Sequence, residues 1–380
     1  MTYLSRRSFL QKFSIGVGVL TLPAIGRPGI LSSGYAGKKL RVALIGLGNY
    51  ANLMAEGLRE SKYCELAGIV TGTPEKAKKW QAKYHIPDKN IYSYERFDEI
   101  AKNKDIELVY ITMPNGLHKE YAIRAARAGK HVITEKPMAT NAKDCEEMIA
   151  ACEKAGVYLA VGYRLHFEPT HIELKRLGQE SVFGQVRMIE ASLGYRTFDL
   201  NDTVDATFDI NNRKEWHVRK AISGGGALIN LGIYPIQACR YILGEEPVAV
   251  TAQFGPVHNK KRFSQVEETI LWQMEFGSGA CTTSTTSYGF NIDRLYAVAD
   301  SGSFELSPAL SYGPFKGKTS KGELNFPVIN QQATQIDAIG KQILAGAPLP
   351  AHITGEEGLK DMRVVDAIYK AAETGKKVFL

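Results

Sequence analysis

The 380-residue chain lacks several features that would place it at once. It has no Cys-x-x-Cys, and its five cysteines (64, 145, 152, 239 and 281) show neither metal-ligand spacing nor a Cys–His nucleophile pattern. They read as buried thiols, and no metal site is expected. No apolar run reaches the ~20 residues that cross a bilayer as a helix. No basic stripe with interleaved aromatics is present. Four of the seven net positive charges (Arg6, Arg7, Lys12 and Arg27) fall in residues 1–37, which hold no acid, so the rest carries only +3. That balance gives no argument for a nucleic-acid partner. Internal repeats and low-complexity segments are also missing.

What is present begins with ALIGLGNYA at residues 43–51. An apolar strand stops at Gly46-x-Gly48-x-x-Ala51 and a helical pattern follows, to about Ser61. This strand–turn–helix sets a pyrophosphate on backbone N–H groups at a helix N-terminus. Gly46 permits the tight turn, Gly48 lets the backbone approach the phosphates, and Ala51 allows close helix–strand packing. A second apolar strand, ELAGIV, ends at Thr71, about 20 residues on, where the ribose-binding side chain belongs. The chain is expected to bind a dinucleotide.

An NAD site usually presents a carboxylate at that tip to the ribose hydroxyls. Here the tip reads Thr71-Gly72-Thr73-Pro74-Glu75-Lys76. The Thr71 hydroxyl and the Lys76 cation suit a 2′-phosphate, which a carboxylate would repel. NADP is therefore the expected cofactor. The plainer alternative for Lys76 is a solvated lysine in the run EKAKK.

From Lys39 to about Leu159 short apolar runs alternate with helical stretches, which argues a doubly wound parallel sheet. Beyond about Tyr163 the strands lengthen and alternate apolar with polar, as in QVRMIEASLGY and EETILWQMEF, with helical stretches near 168–178, 225–243, 331–345 and 355–375. This predicts an α/β protein: a Rossmann domain at 38–160, then an α+β domain at 161–380 with a large, mainly antiparallel open sheet.

Residues 1–37 read as an address and a short linker. Ser5-Arg6-Arg7-Ser8-Phe9-Leu10 before a Gly-containing apolar stretch resembles a twin-arginine export signal, and periplasmic or otherwise exported location is expected. That route carries folded proteins, which suits one that takes up its cofactor before export. An uncleaved membrane tether is the rival reading.

The fourth strand ends in Glu135-Lys136-Pro137, at the ligand side of such a sheet. Lys136 is a candidate for acid/base or electrostatic work, or a loop lysine paired with Glu135. Asn230 and Tyr234, four apart in GGGALINLGIYP (224–235), share one face of a predicted helix.

KHVITEKPMAT (130–140), MPNGLH (113–118) and GYR (162–164), with GLGNYA, TGTPEKAK, GYRLHFEP, GGGALINLGIYP, RYILGEEP and GEEGLKDMR, resemble the Gfo/Idh/MocA family of sugar oxidoreductases, and more narrowly its glucose–fructose oxidoreductase branch. The resemblance runs from about Lys39 to the C-terminus. It implies that Gly46, Gly48, Tyr50 and Ala51 hold the pyrophosphate and Thr71 and Lys76 the 2′-phosphate. Pro114, Asn115 and His118 would line the nicotinamide ribose, and Glu135 and Lys136 would border the reacting ring. Arg164, Trp216 and Arg219 would close over the cofactor. Trp216 as plain core, His118 as a helix cap and Tyr234 as a packing residue remain open.

Most of the family pairs Asp with His at positions 230 and 234, and this branch pairs Asp with Tyr. Asn230 departs from both. An amide orients a hydroxyl but takes no proton, so proton transfer would fall on Tyr234 with Lys136 lowering its pKa, and His166 is the next candidate. The branch also carries a long N-terminal arm over the adenine. Here only residues 23–37 stand in its place, with Lys38 and Lys39 near enough in sequence to reach the 2′-phosphate.

The implied activity is oxidation of a cyclic aldose at C1 to the aldonolactone with NADP, which a second sugar would reoxidise if the cofactor stays bound. A homo-oligomer, dimer or tetramer, without stable membrane insertion is implied too. Transient use of NAD(P) for glycoside cleavage or epimerisation, and a non-catalytic cofactor- or sugar-binding protein, are the alternatives.

Overall fold

A computed structural model describes residues 37–198, 209 and 212–380. The export-signal motif therefore lies outside the described residues.

Six strands form a wholly parallel sheet: β1 (Leu40–Ile45), β2 (Cys64–Val70), β3 (Ile91–Tyr92), β4 (Leu108–Ile111), β5 (His131–Glu135) and β6 (Leu159–Gly162). Their spatial order is β3-β2-β1-β4-β5-β6. The chain winds outward from β1 to β3, then restarts at β4 on the other side of β1. That reversal leaves a crevice at the carboxyl ends of β1 and β4, where open α/β sheets bind ligands. Val42–Ile45 and Leu108–Ile111 are completely buried, as strands covered on both faces require. The connecting helices are α1 (Asn49–Glu60), α2 (Pro74–Tyr84), α3 (His118–Arg127) and α4 (Ala142–Ala155). The parallel sheet runs two residues past position 160, to Gly162.

After α5 (Pro169–Gln179), β7 (Val186–Gly194), α6 (Lys220–Ser223) and α7 (Ile233–Leu243), a run of strands follows: β8 (Pro247–Phe254), β9 (Thr269–Phe276), β10 (Cys281–Ser287), β11 (Ile292–Ala299), β12 (Gly302–Leu306), β13 (Gly317–Thr319) and β14 (Gly322–Leu324). With β15 (Val378–Phe379) they order as β14-β13-β12-β11-β7-β10-β9-β8-β15. All pairings are antiparallel except β7 with β10. In β9, Ile270, Trp272, Met274 and Phe276 are buried while Leu271, Gln273 and Glu275 are exposed, so one face of this sheet is covered. The segment RLYAVADSGSFEL is a hairpin of two strands, β11 and β12. The short strands β3, β13, β14 and β15 are too brief to leave a periodic trace.

Two final helices, α8 (Gln331–Ala345) and α9 (Gly355–Thr374), pack on α1 and α4 respectively. The second half of the chain thus returns to the parallel sheet and fixes it to the open one. All five cysteines are free; Cys281 is exposed, against the expectation of uniform burial.

Candidate active site

The loop after β1 is built around Gly46, at φ +89°. A β-carbon there would lie 2.8 Å from Met113 Cγ and 3.1 Å from its backbone, so only glycine suits both torsion and space. Thr112 Oγ1 donates to the Gly46 carbonyl at 2.7 Å and holds the loop down. A β-carbon on Gly48 would meet nothing within 4 Å. Gly48 heads α1, whose first turn has no side-chain cap and no acid. Its leading N–H groups lack internal partners, as an anion site needs. Ala51 is fully buried against the sheet. These features fit a dinucleotide pyrophosphate. The Tyr50 hydroxyl is buried close to Glu135, Arg164 and Tyr234, on the side of the crevice where those groups meet.

At the β2 tip Thr71 is nearly buried, and its hydroxyl accepts from Thr73 N at 3.3 Å. Lys76, in the first turn of α2, donates to the Leu47 carbonyl at 3.3 Å, which brings its charge beside the glycine loop. No carboxylate stands at this tip, so the residues present fit a phosphorylated ribose. Lys38 and Lys39 are elsewhere. Lys38 pairs with Glu107 at 2.8 Å and Lys39 donates to the Ser61 carbonyl at 2.6 Å, so both brace the chain before β1.

Beyond β4, Pro114 leads a short turn, Asn115–Leu117. Asn115 Nδ2 donates to the Ser223 carbonyl at 2.9 Å and so ties this tip to the end of α6. His118 neither lines the crevice nor caps α3. Its buried ring lies between the Pro137 carbonyl (2.9 Å) and the Met113 carbonyl (2.8 Å), a staple between the β4 and β5 tips. Burial pushes its pKa down, so the neutral ring donates to one of the two. Trp216 and Arg219 are half-buried at the approach to α6, which packs on the Asn115–Leu117 turn.

The groups brought together lie past the β5 and β6 tips. Glu135 is buried and accepts from Tyr110 Oη at 2.6 Å, which itself accepts from Gln335 Nε2 at 2.6 Å. Burial holds the Glu135 carboxyl above its usual range despite the Tyr110 bond and the Lys136 charge. Gly162, beside it on β6, has no room for a β-carbon because the Glu135 carboxylate occupies that space.

Asn230 and Tyr234 do not share one regular α-helix: Asn230 lies in a π turn and Tyr234 in the first turn of α7. Gly224 ends α6 at φ +83°, and Leu228–Gly232 forms a π turn that leads into α7. Glu267 caps this turn: its carboxylate accepts from Gly226 N at 3.0 Å, Leu228 N at 2.8 Å and Tyr369 Oη at 2.9 Å. In the i→i+5 register the Asn230 carbonyl would look to Pro235, which has no N–H. Lys136 Nζ supplies a donor at 3.0 Å. The Asn230 amide donates to Tyr288 Oη at 2.8 Å.

The Tyr234 ring is flanked by two cations, with Lys136 Nζ 4.3 Å and Arg164 Cζ 5.2 Å from its centroid. Burial pushes the phenol up. The Arg164 charge and then that of Lys136 outweigh it and hold the phenol below its ordinary value. Arg164 is thus no lid over the cofactor: 2% exposed, it lies in the turn after β6, inside the site. His166 is in a different cluster, stacked on Tyr241 at 4.0 Å with Nδ1 against the His352 carbonyl at 2.8 Å. Burial holds its pKa well down, and it is not placed to relieve Tyr234.

Tyr110, Gln335, Tyr288, Glu267 and Tyr312 belong to this region and were not singled out from the sequence. Only Tyr110 carried a signal, as a tyrosine inside an otherwise apolar central strand whose hydroxyl must find a partner.

Residues 40–163 match the Gfo/Idh/MocA oxidoreductase family, described as an NAD-binding Rossmann fold, and residues 171–305 match the Gfo/Idh/MocA C-terminal domain. The chain is similar to the crystal structure of aldose-aldose oxidoreductase from Caulobacter crescentus complexed with glycerol. The two are 39% identical with a TM-score of 0.84, over 90% of this chain and 100% of that one. It is also similar to D-xylose 1-dehydrogenase [NADP(+)] of Haloarcula marismortui, 26% identical over 90% of this chain and 93% of the relative. D-xylose 1-dehydrogenase (NADP(+)) 2 of Haloferax volcanii is 26% identical over 76% of this chain and 85% of its own length.

Proposed function

The chain belongs to the Gfo/Idh/MocA oxidoreductase family, and from that premise we propose that it is an NADP-dependent sugar oxidoreductase acting on a cyclic aldose at C1. The observation that carries this reading is the Tyr234 phenol held between Lys136 and Arg164 at the strand tips. The sugar relatives and the carboxylate-free tip at Thr71 support the substrate class and the cofactor.

Gly46, Gly48, Ala51 and the first turn of α1 would hold the pyrophosphate, and Thr71 and Lys76 the 2′-phosphate. NADP, when bound, would supply the acceptor for the hydride that leaves C1. Tyr234, as phenolate, takes the proton from the C1 hydroxyl as C1 becomes the lactone carbonyl, and later passes it to water. An ordinary phenol near pKa 10 is almost wholly protonated at neutral pH; the two cations raise its phenolate fraction. Lys136 is fixed for that purpose by the Asn230 carbonyl. Asn230, its amide N–H committed to Tyr288, offers Oδ1 to orient a sugar hydroxyl.

Incubation with NADP and a panel of simple aldoses and their aryl glycosides tests the proposal. Reduced-cofactor absorbance together with a C1 lactone is expected. Aglycone release or epimer formation with no net absorbance change would replace it with transient oxidation. Sugar binding with no turnover of any aldose would leave a binding protein. The same reading includes export of the folded, cofactor-loaded chain through the twin-arginine signal at residues 5–12, followed by homo-oligomer formation. Cell fractionation of a chain with Arg6 and Arg7 replaced by lysine tests the export step.

A further inference from the structure

We infer that Gln331 is a positioning residue for Tyr234: it holds the Arg164 guanidinium in place against the phenol ring from the opposite end of the molecule's sequence. The inference rests on the reading of Tyr234 as the proton acceptor and extends it to a group that touches neither substrate nor cofactor.

Arg164 is nine-tenths buried or more and grips its surroundings through three acceptors. Nη1 donates to Gln331 Oε1 at 2.5 Å and to the Ser311 carbonyl at 3.0 Å, and Nη2 donates to the Leu310 carbonyl at 3.1 Å. Gln331 is the side chain among them. It is 5% exposed, opens α8 just after its cap Asn330, and turns its own Nε2 to Glu168 Oε2 at 3.1 Å. The carbonyl pair is fixed independently: Asp293 accepts from Ala309 N (2.9 Å), Leu310 N (2.7 Å) and Ser311 N (3.2 Å). The guanidinium is thus clamped between a loop pinned by Asp293 and an amide pinned by Glu168. It is also sandwiched by rings, with Cζ 4.2 Å from the Tyr312 centroid and 5.2 Å from that of Tyr234.

A neutral amide is the acceptor this position needs. A carboxylate would hold Arg164 equally well but cancel its field at Tyr234, while an apolar side chain would leave a donor unpaired and the long arginine free to turn. The other titratable groups facing Tyr234 are Lys136, Glu135, Tyr50, Tyr195 and Tyr312; none of them contacts Gln331 by hydrogen bond. Gln331 does touch one further carboxyl, Glu168, which itself lies in the field of Arg164, so a change at Gln331 reaches the phenol through Arg164 and its immediate partner.

The test is an ultraviolet titration of tyrosinate in the full-length protein, with the Tyr234→Phe background subtracted, for the native residue and for Gln331→Met. The Tyr234 midpoint is expected to rise by roughly one unit, about a tenfold loss of phenolate at fixed pH, with the pH-rate profile displaced by the same amount and KM for sugar and cofactor little changed. A folded Gln331→Met protein whose Tyr234 midpoint does not move overturns the inference. Should that variant not fold, Gln331→Asn, which keeps a neutral amide but falls one methylene short of Arg164 Nη1, is expected to raise the midpoint as well, and an unmoved midpoint there overturns the inference equally. A midpoint that moves in a protein that oxidises no aldose supports the positioning role and refutes the functional reading instead.

Discussion

Lys136 Nζ donates to the backbone carbonyl of Asn230 at 3.0 Å. The bond joins the tip of the parallel sheet to the π turn of the second half of the chain, and it fixes the ammonium over the Tyr234 ring. The lysine is anchored through a backbone atom, and among the described residues no carboxylate forms an ion pair with it, which leaves its charge to the phenol. Lys136→Met should lower turnover at least ~100-fold, within the range seen when a positioned acid/base partner is removed, with cofactor affinity and thermal unfolding little altered. Turnover within tenfold of the native rate would remove Lys136 from the mechanism.

Asn230→Asp is expected to keep or raise dehydrogenase activity. The carboxylate would accept from Tyr288 Oη, which now accepts from the amide, and would hold a sugar hydroxyl more strongly than an amide does. Steady-state kinetics on the preferred aldose decide it; complete loss of activity would make the amide itself part of the mechanism.

Cofactor choice follows from the β2 tip. NADP should bind more tightly than NAD, with a margin that shrinks as salt screens Lys76 over about 8–10 Å. Thr71→Asp should reverse the preference by pairing free ribose hydroxyls and repelling a 2′-phosphate. Calorimetric titration of both cofactors into the stripped protein reads the ratio directly, and an unchanged ratio in Thr71→Asp contradicts this assignment.

Stability rests in part on Arg240, 2% exposed, whose guanidinium meets Glu246 at 2.6 Å, Glu357 at 2.8 Å and Asp361, the last itself buried. Asp361 also accepts from Tyr163 Oη at 2.5 Å and Gln237 Nε2 at 3.1 Å, so the network ties α7 and α9 to the turn after β6. Arg240→Met should cost about 3–5 kcal/mol, because it strands buried carboxylates rather than merely deleting a pair. A loss under about 1 kcal/mol in denaturant unfolding would show the network to be dispensable.

The parallel sheet was legible because its strands are short, apolar and separated by helices, and because Gly46 has a place that only glycine's torsion and size satisfy. The open sheet was legible from alternation, as in β9. What escaped notice depends on distances no local pattern encodes. Arg164 reads as a lid residue from its motif, yet its partners Leu310, Ser311 and Gln331 lie some 150 residues away and draw it inward. His118 occupies a motif position but spends both ring nitrogens inside the scaffold. The spacing of Asn230 and Tyr234 predicts one regular helix for both; Tyr234 is on α7, while Pro235 and the glycines before it allow a π turn at Asn230, whose extra residue changes which backbone carbonyl is free to meet Lys136.

The central claim is that Tyr234 accepts the proton. Its most direct test is the pH dependence of single-turnover cofactor reduction by the preferred aldose, in the native protein and in Tyr234→Phe. The native rate should rise with pH and level off below the ordinary phenol value near 10, since Arg164 and Lys136 favour the phenolate. Tyr234→Phe should be at least ~100-fold slower and lose that rise. A near-native rate with the same pH profile in Tyr234→Phe would contradict the account and move proton transfer to another group.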